Sequence, residues 1–228
     1  LKISSVICIL FILLNCVCFS QTKSNIYFQS SFGKEKLVSN KFYHLNSKDS
    51  IEISSVKFYV SNIIALNKTK TVWQDSIKYH LVDVLNGKAL LFQIPSGITF
   101  TQIKFNLGID SITNVSGALS GDLDPTKGMY WTWQSGYINF KLEGSSNVCP
   151  TRHNEFQFHL GGYQYPFNSL QTIFLQAQSS STIYINMDIY KIIQSINLST
   201  TNHMMSPSKE AVLFSEKIIE SLSVSYDK

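Results

Sequence analysis

The sequence predicts an all-β protein: a single antiparallel β-sandwich domain with a C-terminal helix. Three observations lead there. Short runs rich in Ile, Val, Phe, Tyr and Thr recur along the chain, separated by Ser, Asn, Gly and Asp. A convincing helical period shows only near the C-terminus. No internal repeat, low-complexity tract or Pro/Gly-rich linker divides the chain, so one domain over 21–228 is expected.

The elements follow in order. Lys2, an apolar run over 3–19, and the small residues Cys18 and Ser20 make residues 1–20 a secretory signal peptide. Its removal takes Cys8, Cys16 and Cys18, and a chain left with Cys149 alone forms no internal disulfide. Stability must then come from the core, and Cys149 reads as a buried, inert thiol. Strands are expected at 26–32, 50–63, 78–84, 98–107, 130–143, 155–160, 172–177 and 182–190. Two of them change phase. In 50–63, Ile51 and Ile53 are odd but Val56, Phe58 and Val60 are even, which predicts a β-bulge at Ser54-Ser55. In 130–143, a bulge at Gly136 would put Trp131, Trp133, Ile138, Phe140 and Leu142 on one face and give both tryptophans to the core. The helix is expected to start with Ser206 as N-cap and Pro207 at the first helical position. Ala211, Phe214, Ser215, Ile218 and Leu222 would form its buried face.

The formal charge is +4 with no Lys/Arg-rich run, which argues against a nucleic-acid partner. No GxSxG, HExxH, CxxC or phosphate-cradling loop occurs, so a binding protein is expected rather than an enzyme. Asp122 and Asp124 read as turn formers, too few oxygens for Ca²⁺. Five histidines remain. In EFQFHLGG, Phe156, Phe158 and Leu160 point one way and His159 the other, with the polar residues. His203 stands in NHMMSP beside Met204 and Met205, an imidazole and thioether set that suits copper; the alternative is that the methionines plug the core. His44 lies in KFYHL and His80 in KYHLVDV, its facing undecided. His153 lies in a polar loop and reads as solvated. Exposed Tyr163, Tyr165 and Tyr184 could instead line an interaction face.

GMYWTWQSGYINFKLEG at 128–144, FQFHLGGY at 156–163 and HMMSP at 203–207 follow KFYVSNIIAL at 57–66 and YHLVDV at 79–84. In that order they resemble the MbnP-like family: secreted or periplasmic copper-binding proteins related to those of methane-oxidising bacteria, here of the Bacteroidetes-type branch. The resemblance implies a β-sandwich, a copper cofactor, and a periplasmic, outer-membrane-associated or secreted location. It also implies that copper is held by two histidines and by a tryptophan oxidised to kynurenine, with a dihaem cytochrome c peroxidase-like partner performing the oxidation. His159 and His203 match recurrent family positions, with His44, His80 and Met204 as further ligand candidates. Trp131 and Trp133 match the shared motif, and Trp73 is a third candidate for oxidation, more exposed by its polar context. One departure stands out. A Trp-x-His ligand pair used in the wider family does not occur here, and position 133 carries a second tryptophan.

Overall fold

The computed structural model describes residues 23–85, 89–133 and 136–227; the predicted signal peptide lies outside them. The strands are β1 (Ser24–Phe32), β2 (Glu35–Lys36), β3 (Phe42–His44), β4 (Ser50–Asn67), β5 (Lys70–Gln74), β6 (Tyr79–Asp83), β7 (Ala89–Ile94) and β8 (Gln102–Leu107). After a short helix α1 (Ser111–Val115) come β9 (Tyr130–Trp131), β10 (Gly136–Ser146), β11 (Glu155–Gly161), β12 (Gln171–Gln176) and β13 (Thr182–Asp188). Helix α2 (Ile189–Gln194), β14 (His203–Met204), helix α3 (Lys209–Ile219) and β15 (Leu222–Tyr226) complete the chain.

The fold is all-β, in two sheets that pack face to face. The smaller runs β15-β13-β1-β2, with β7 also on β1; the larger runs β12-β8-β4-β10-β11-β14, with β3, β5 and β6 on β4 and β9 on β10. Between them Phe28 meets Phe58 edge-on at 4.8 Å, and Trp73 stacks on Phe92 at 5.5 Å. The expectation of purely antiparallel sheets is corrected. β1 runs parallel to β13 and β11 parallel to β14. Alternation along a strand says which side faces in, but carries no information on the direction of a partner far away in sequence, and long intervening chain permits the crossover.

The Ser54 bulge is present. Glu143 opposes Ser55 and Gly144 opposes Ile53, which leaves Ser54 unpaired and keeps Ile51, Ile53, Val56, Phe58 and Val60 in one core. The predicted bulge at Gly136 is absent. The chain instead turns back after Trp131, so that Gly136 opposes Trp131 and Tyr137 opposes Tyr130 in a hairpin. The phase change lies further on, at Asn139, where Ile138 opposes Gly161 but Phe140 opposes Leu160. Asn139 is buried, and its amide fills the vacancy: Oδ1 accepts from the Ile109 N–H and Nδ2 donates to Ser169 Oγ, both at 2.9 Å. Trp131 and Ile138 therefore lie on the outer face of the larger sheet, opposite Phe140 and Leu142.

Helix α3 is capped by Ser208, not Ser206; the Ser208 hydroxyl accepts from the Ala211 N–H at 3.1 Å. Pro207 precedes the cap. The expected face holds, with Ala211, Phe214, Ser215 and Ile218 buried and Phe214 edge-on to Phe158 at 5.2 Å. Leu222 belongs to β15, which follows the helix. Among the described residues no helix is long and apolar enough to cross a membrane.

Candidate functional site

Most sheets leave an outer face to water. Here the chain between β8 and β10 folds back over the larger sheet and builds a second apolar cluster from Tyr59, Ile109, Leu123, Met129, Trp131, Tyr137 and Ile138. Polar anchors hold it down. Tyr59 donates to the Asp122 carbonyl at 3.1 Å, Tyr137 donates to the Leu123 carbonyl at 3.1 Å, and Asp122 accepts from the Leu81 N–H at 2.9 Å. Trp131 is thereby buried, 5 % exposed, while Trp133 in the hairpin turn is 64 % exposed. Their rings sit 5.6 Å apart, tilted at 42°. The assignment of both tryptophans to the core is thus corrected: β9 ends at Trp131, so the strand alternation that would have paired the two does not reach Trp133.

The indole of Trp131 lies over Gly161. A Cβ there would stand 2.5 Å from Cζ3 of the ring, so this closeness requires glycine. His159 is two residues earlier on the same outer face, paired across the ladder with Lys141. It faces the polar side as predicted, yet it is only 7 % exposed. Its Nε2 is 2.7 Å from Glu143 Oε1, and Lys141 Nζ is 3.3 Å from the same oxygen. Burial pushes the Glu143 carboxyl up, but the His159 hydrogen bond and the Lys141 charge outweigh it and hold it below the usual range. An ionised carboxylate can only accept, so Nε2 carries a proton, and in the neutral form of the ring the lone pair lies on Nδ1.

That Nδ1 is buried with no hydrogen-bond partner, and so is Nε1 of Trp131; these are the two such side-chain atoms found among the described residues. An unpaired buried polar atom costs about 1–3 kcal/mol. A cavity of about 280 Å³ opens beside the indole, between Trp131, Gly136, Gly162, Tyr163, Tyr165 and Phe167.

The other candidates fall elsewhere. His203 opposes Gln157 on β11, on the outer face one strand over from His159, and is exposed. Met204 opposes Phe158 and is buried in the core, turned away from His203, which is the plugging role. His80 opposes Val60, so it faces the inner side, opposite to His159, and its Nε2 sits 2.8 Å from Asp75 Oδ2. His44 opposes Ser50 on the far part of β4 and is exposed. Trp73 is half-buried in its stack with Phe92, less accessible than its polar sequence context predicts. Tyr184 stacks with Tyr27 on the smaller sheet, so it shares no face with Tyr163 and Tyr165. Cys149 is buried and free, its thiol pushed up by burial. His153 is exposed, in left-handed backbone. Among the described residues no three His, Cys, Asp or Glu side chains converge as a metal-binding group.

Sequence reasoning missed Glu143 and Gly161. Glu143 shares the outward phase of Lys141, between Leu142 and Gly144, and that alternation was the available signal. Gly161 carried none, since only the folded hairpin shows what lies above it.

Comparison with known proteins bears on this site. No curated protein sequence matches the chain. Among solved structures, MbnP from Methylosinus trichosporium superposes with a TM-score of 0.58 at 12 % identity, over 78 % of this chain and 79 % of that one, a likeness of fold. The sequence profile of the MbnP family matches residues 21–206, which include the tryptophan hairpin, β11 and β14. The chain belongs to the MbnP family.

Proposed function

We propose that this chain is an extracytoplasmic copper-binding protein, not an enzyme, in which His159 supplies a ligating nitrogen and Trp131 is the target of oxidative maturation. One observation carries the reading. The two partnerless buried nitrogens fall on two motif residues of one sheet face, Trp131, whose indole lies over Gly161, and His159, two positions before that glycine.

The donor chemistry fits in part. His159 Nδ1 presents a lone pair, and Glu143 on the opposite ring nitrogen orients the imidazole as second partners of ligating histidines do. The indole Nε1–H of Trp131 is a donor only and cannot ligate as it stands. Opened to kynurenine, the same side chain would present an aryl amine. His203, exposed on the strand adjacent to β11, is the nearest other imidazole in the register of this face. When bound, copper would supply a redox-active centre that favours nitrogen and thioether donors. Trp133 stands two residues after Trp131, where a wider-family relative places a histidine. The maturation partner implied is a dihaem cytochrome c peroxidase-like protein.

Copper titration of the mature protein tests this. Near-stoichiometric uptake is expected, weakened by His159→Ala and unaffected by His44→Ala. Uptake unchanged in His159→Ala/His203→Ala would rule the site out. In protein from its native host, the Trp131 peptide should be about 4 Da heavier, for loss of one carbon and gain of one oxygen. A second reading, a metal-free interaction module, is supported by exposed Tyr165 and Phe167 lining the cavity and by exposed Trp133 against Trp131; absent copper uptake with an unmodified Trp131 would favour it.

A further inference from the structure

We propose that Trp133 is the entry point through which an outside one-electron oxidant reaches Trp131; this rests on Trp131 being the residue that is oxidised. Trp131 is 5 % exposed and its Nε1 is fully covered, so a bulky external oxidant has little of the ring to touch, while the cavity beside it is wide enough for water. Trp133 is 64 % exposed, and its ring centroid is 5.6 Å from that of Trp131. Electron transfer falls steeply with distance, and where no proton leaves, indole gives up an electron more readily than phenol or phenyl. One ring is therefore open to solvent and within contact of the covered one.

The neighbouring tyrosines make a poorer path. Tyr130 and Tyr59 stand in ring contact with Tyr137, at 4.9 and 5.8 Å between centroids. A tyrosine must lose its hydroxyl proton when it loses an electron. The hydroxyls of Tyr59 and Tyr137 are buried against the Asp122 and Leu123 carbonyls, which do not take a proton. Tryptophan can pass an electron while keeping its N–H.

The electron count is simple. One electron leaves Trp133 for the oxidant, and Trp133 recovers it from Trp131. Two such passages remove an electron pair from Trp131. Addition of oxygen from water to its ring, with two protons released to solvent, gives a hydroxylated indole. The oxidant is a high-potential one-electron acceptor, such as photo-oxidised ruthenium polypyridyl with persulfate as terminal electron sink.

The test uses that oxidant on copper-free mature protein, comparing wild type, Trp133→Phe and Trp133→Tyr. Fragment mass spectra locate added oxygen at position 131 or 133, and circular dichroism confirms the fold. The expected result is oxygen on Trp131 in wild type, several-fold less in Trp133→Phe, and partial recovery in Trp133→Tyr. Phe keeps the steric cover and removes the redox path, so equal or faster Trp131 oxidation in Trp133→Phe overturns the relay alone. Consumption of Trp133 in wild type with Trp131 untouched overturns the relay and Trp131 as target together.

Discussion

Replacing Gly161 with alanine tests the geometry on which the site depends. Gly161 is not among the positive-φ glycines, so its backbone accepts alanine. The obstacle is what the methyl group would meet: Cζ3 of Trp131 at 2.5 Å, Cη2 at 2.8 Å and the Tyr137 carbonyl oxygen at 2.8 Å. Carbon atoms rest at about 3.5–4.0 Å, so the indole would have to retreat by roughly 1 Å. Trp133 stands against that ring, and the Tyr137 carbonyl belongs to β10, next to β11 in the sheet. Overpacking of this kind costs about 1–3 kcal/mol. Urea unfolding should show a lower midpoint at unchanged slope. In a Trp131→Ala background the methyl group has room on the ring side, and the penalty of Gly161→Ala should fall by about 1 kcal/mol or more. An effect within about 0.5 kcal/mol of wild type, or one equal in both backgrounds, would show that the indole does not sit on Gly161. The placement of the indole two positions along β11 from His159 would then be lost, and the proposed site with it.

Glu143→Gln should leave the fold intact and weaken copper binding about 10–100-fold, the usual effect of losing a partner that orients a ligating histidine; equal affinity by titration would remove Glu143 from the site. The same variant has a pH signature. The folded-state value of Glu143 is lowered, so its contribution is present above the ordinary carboxylate range near about 4.3 and is lost as pH falls through the lowered value. Wild type should lose stability over that acid window more steeply than Glu143→Gln, as read from urea midpoints. Cys149 is buried and its thiol is pushed up, so a thiol reagent should titrate it only on unfolding. Rapid labelling of native protein would contradict its burial.

How much of this was legible depended on whether the signal was local. The Ser54 bulge was readable because apolar residues flank it in opposite phases on one uninterrupted strand. The buried face of α3 was readable for the same reason. The tryptophan segment carried a similar phase change, yet it was misassigned. Two features were superposed there, a reversal after Trp131 and a bulge at Asn139, and parity alone cannot separate them. Asn139 reads as any polar strand residue until Ile109 and Ser169 come within hydrogen-bond reach. His159 was rightly placed on the polar face, but its burial comes from the hairpin above it. His80 and Met204 were grouped with His159 and His203 by chemistry; only the register shows that they face inward.

The cost of the site argues that it is kept for use. Leaving Trp131 Nε1 and His159 Nδ1 unpaired costs about 1–3 kcal/mol each, in a class of molecule whose whole stability is about 5–15 kcal/mol. A chain selected only to cover this face could relieve that cost with a Leu or Phe at either position. Instead it adds Glu143, itself opposed by burial and held ionised by Lys141 and His159. That carboxylate directs the imidazole lone pair to the nitrogen that has no partner. His80 makes the same kind of Nε2–carboxylate contact with Asp75, but on the inner side of the sheet and with no partnerless buried nitrogen. That partnerless Nδ1, on the face that carries the Trp131 indole, is the ground on which His159 rather than His80 is proposed as a ligand.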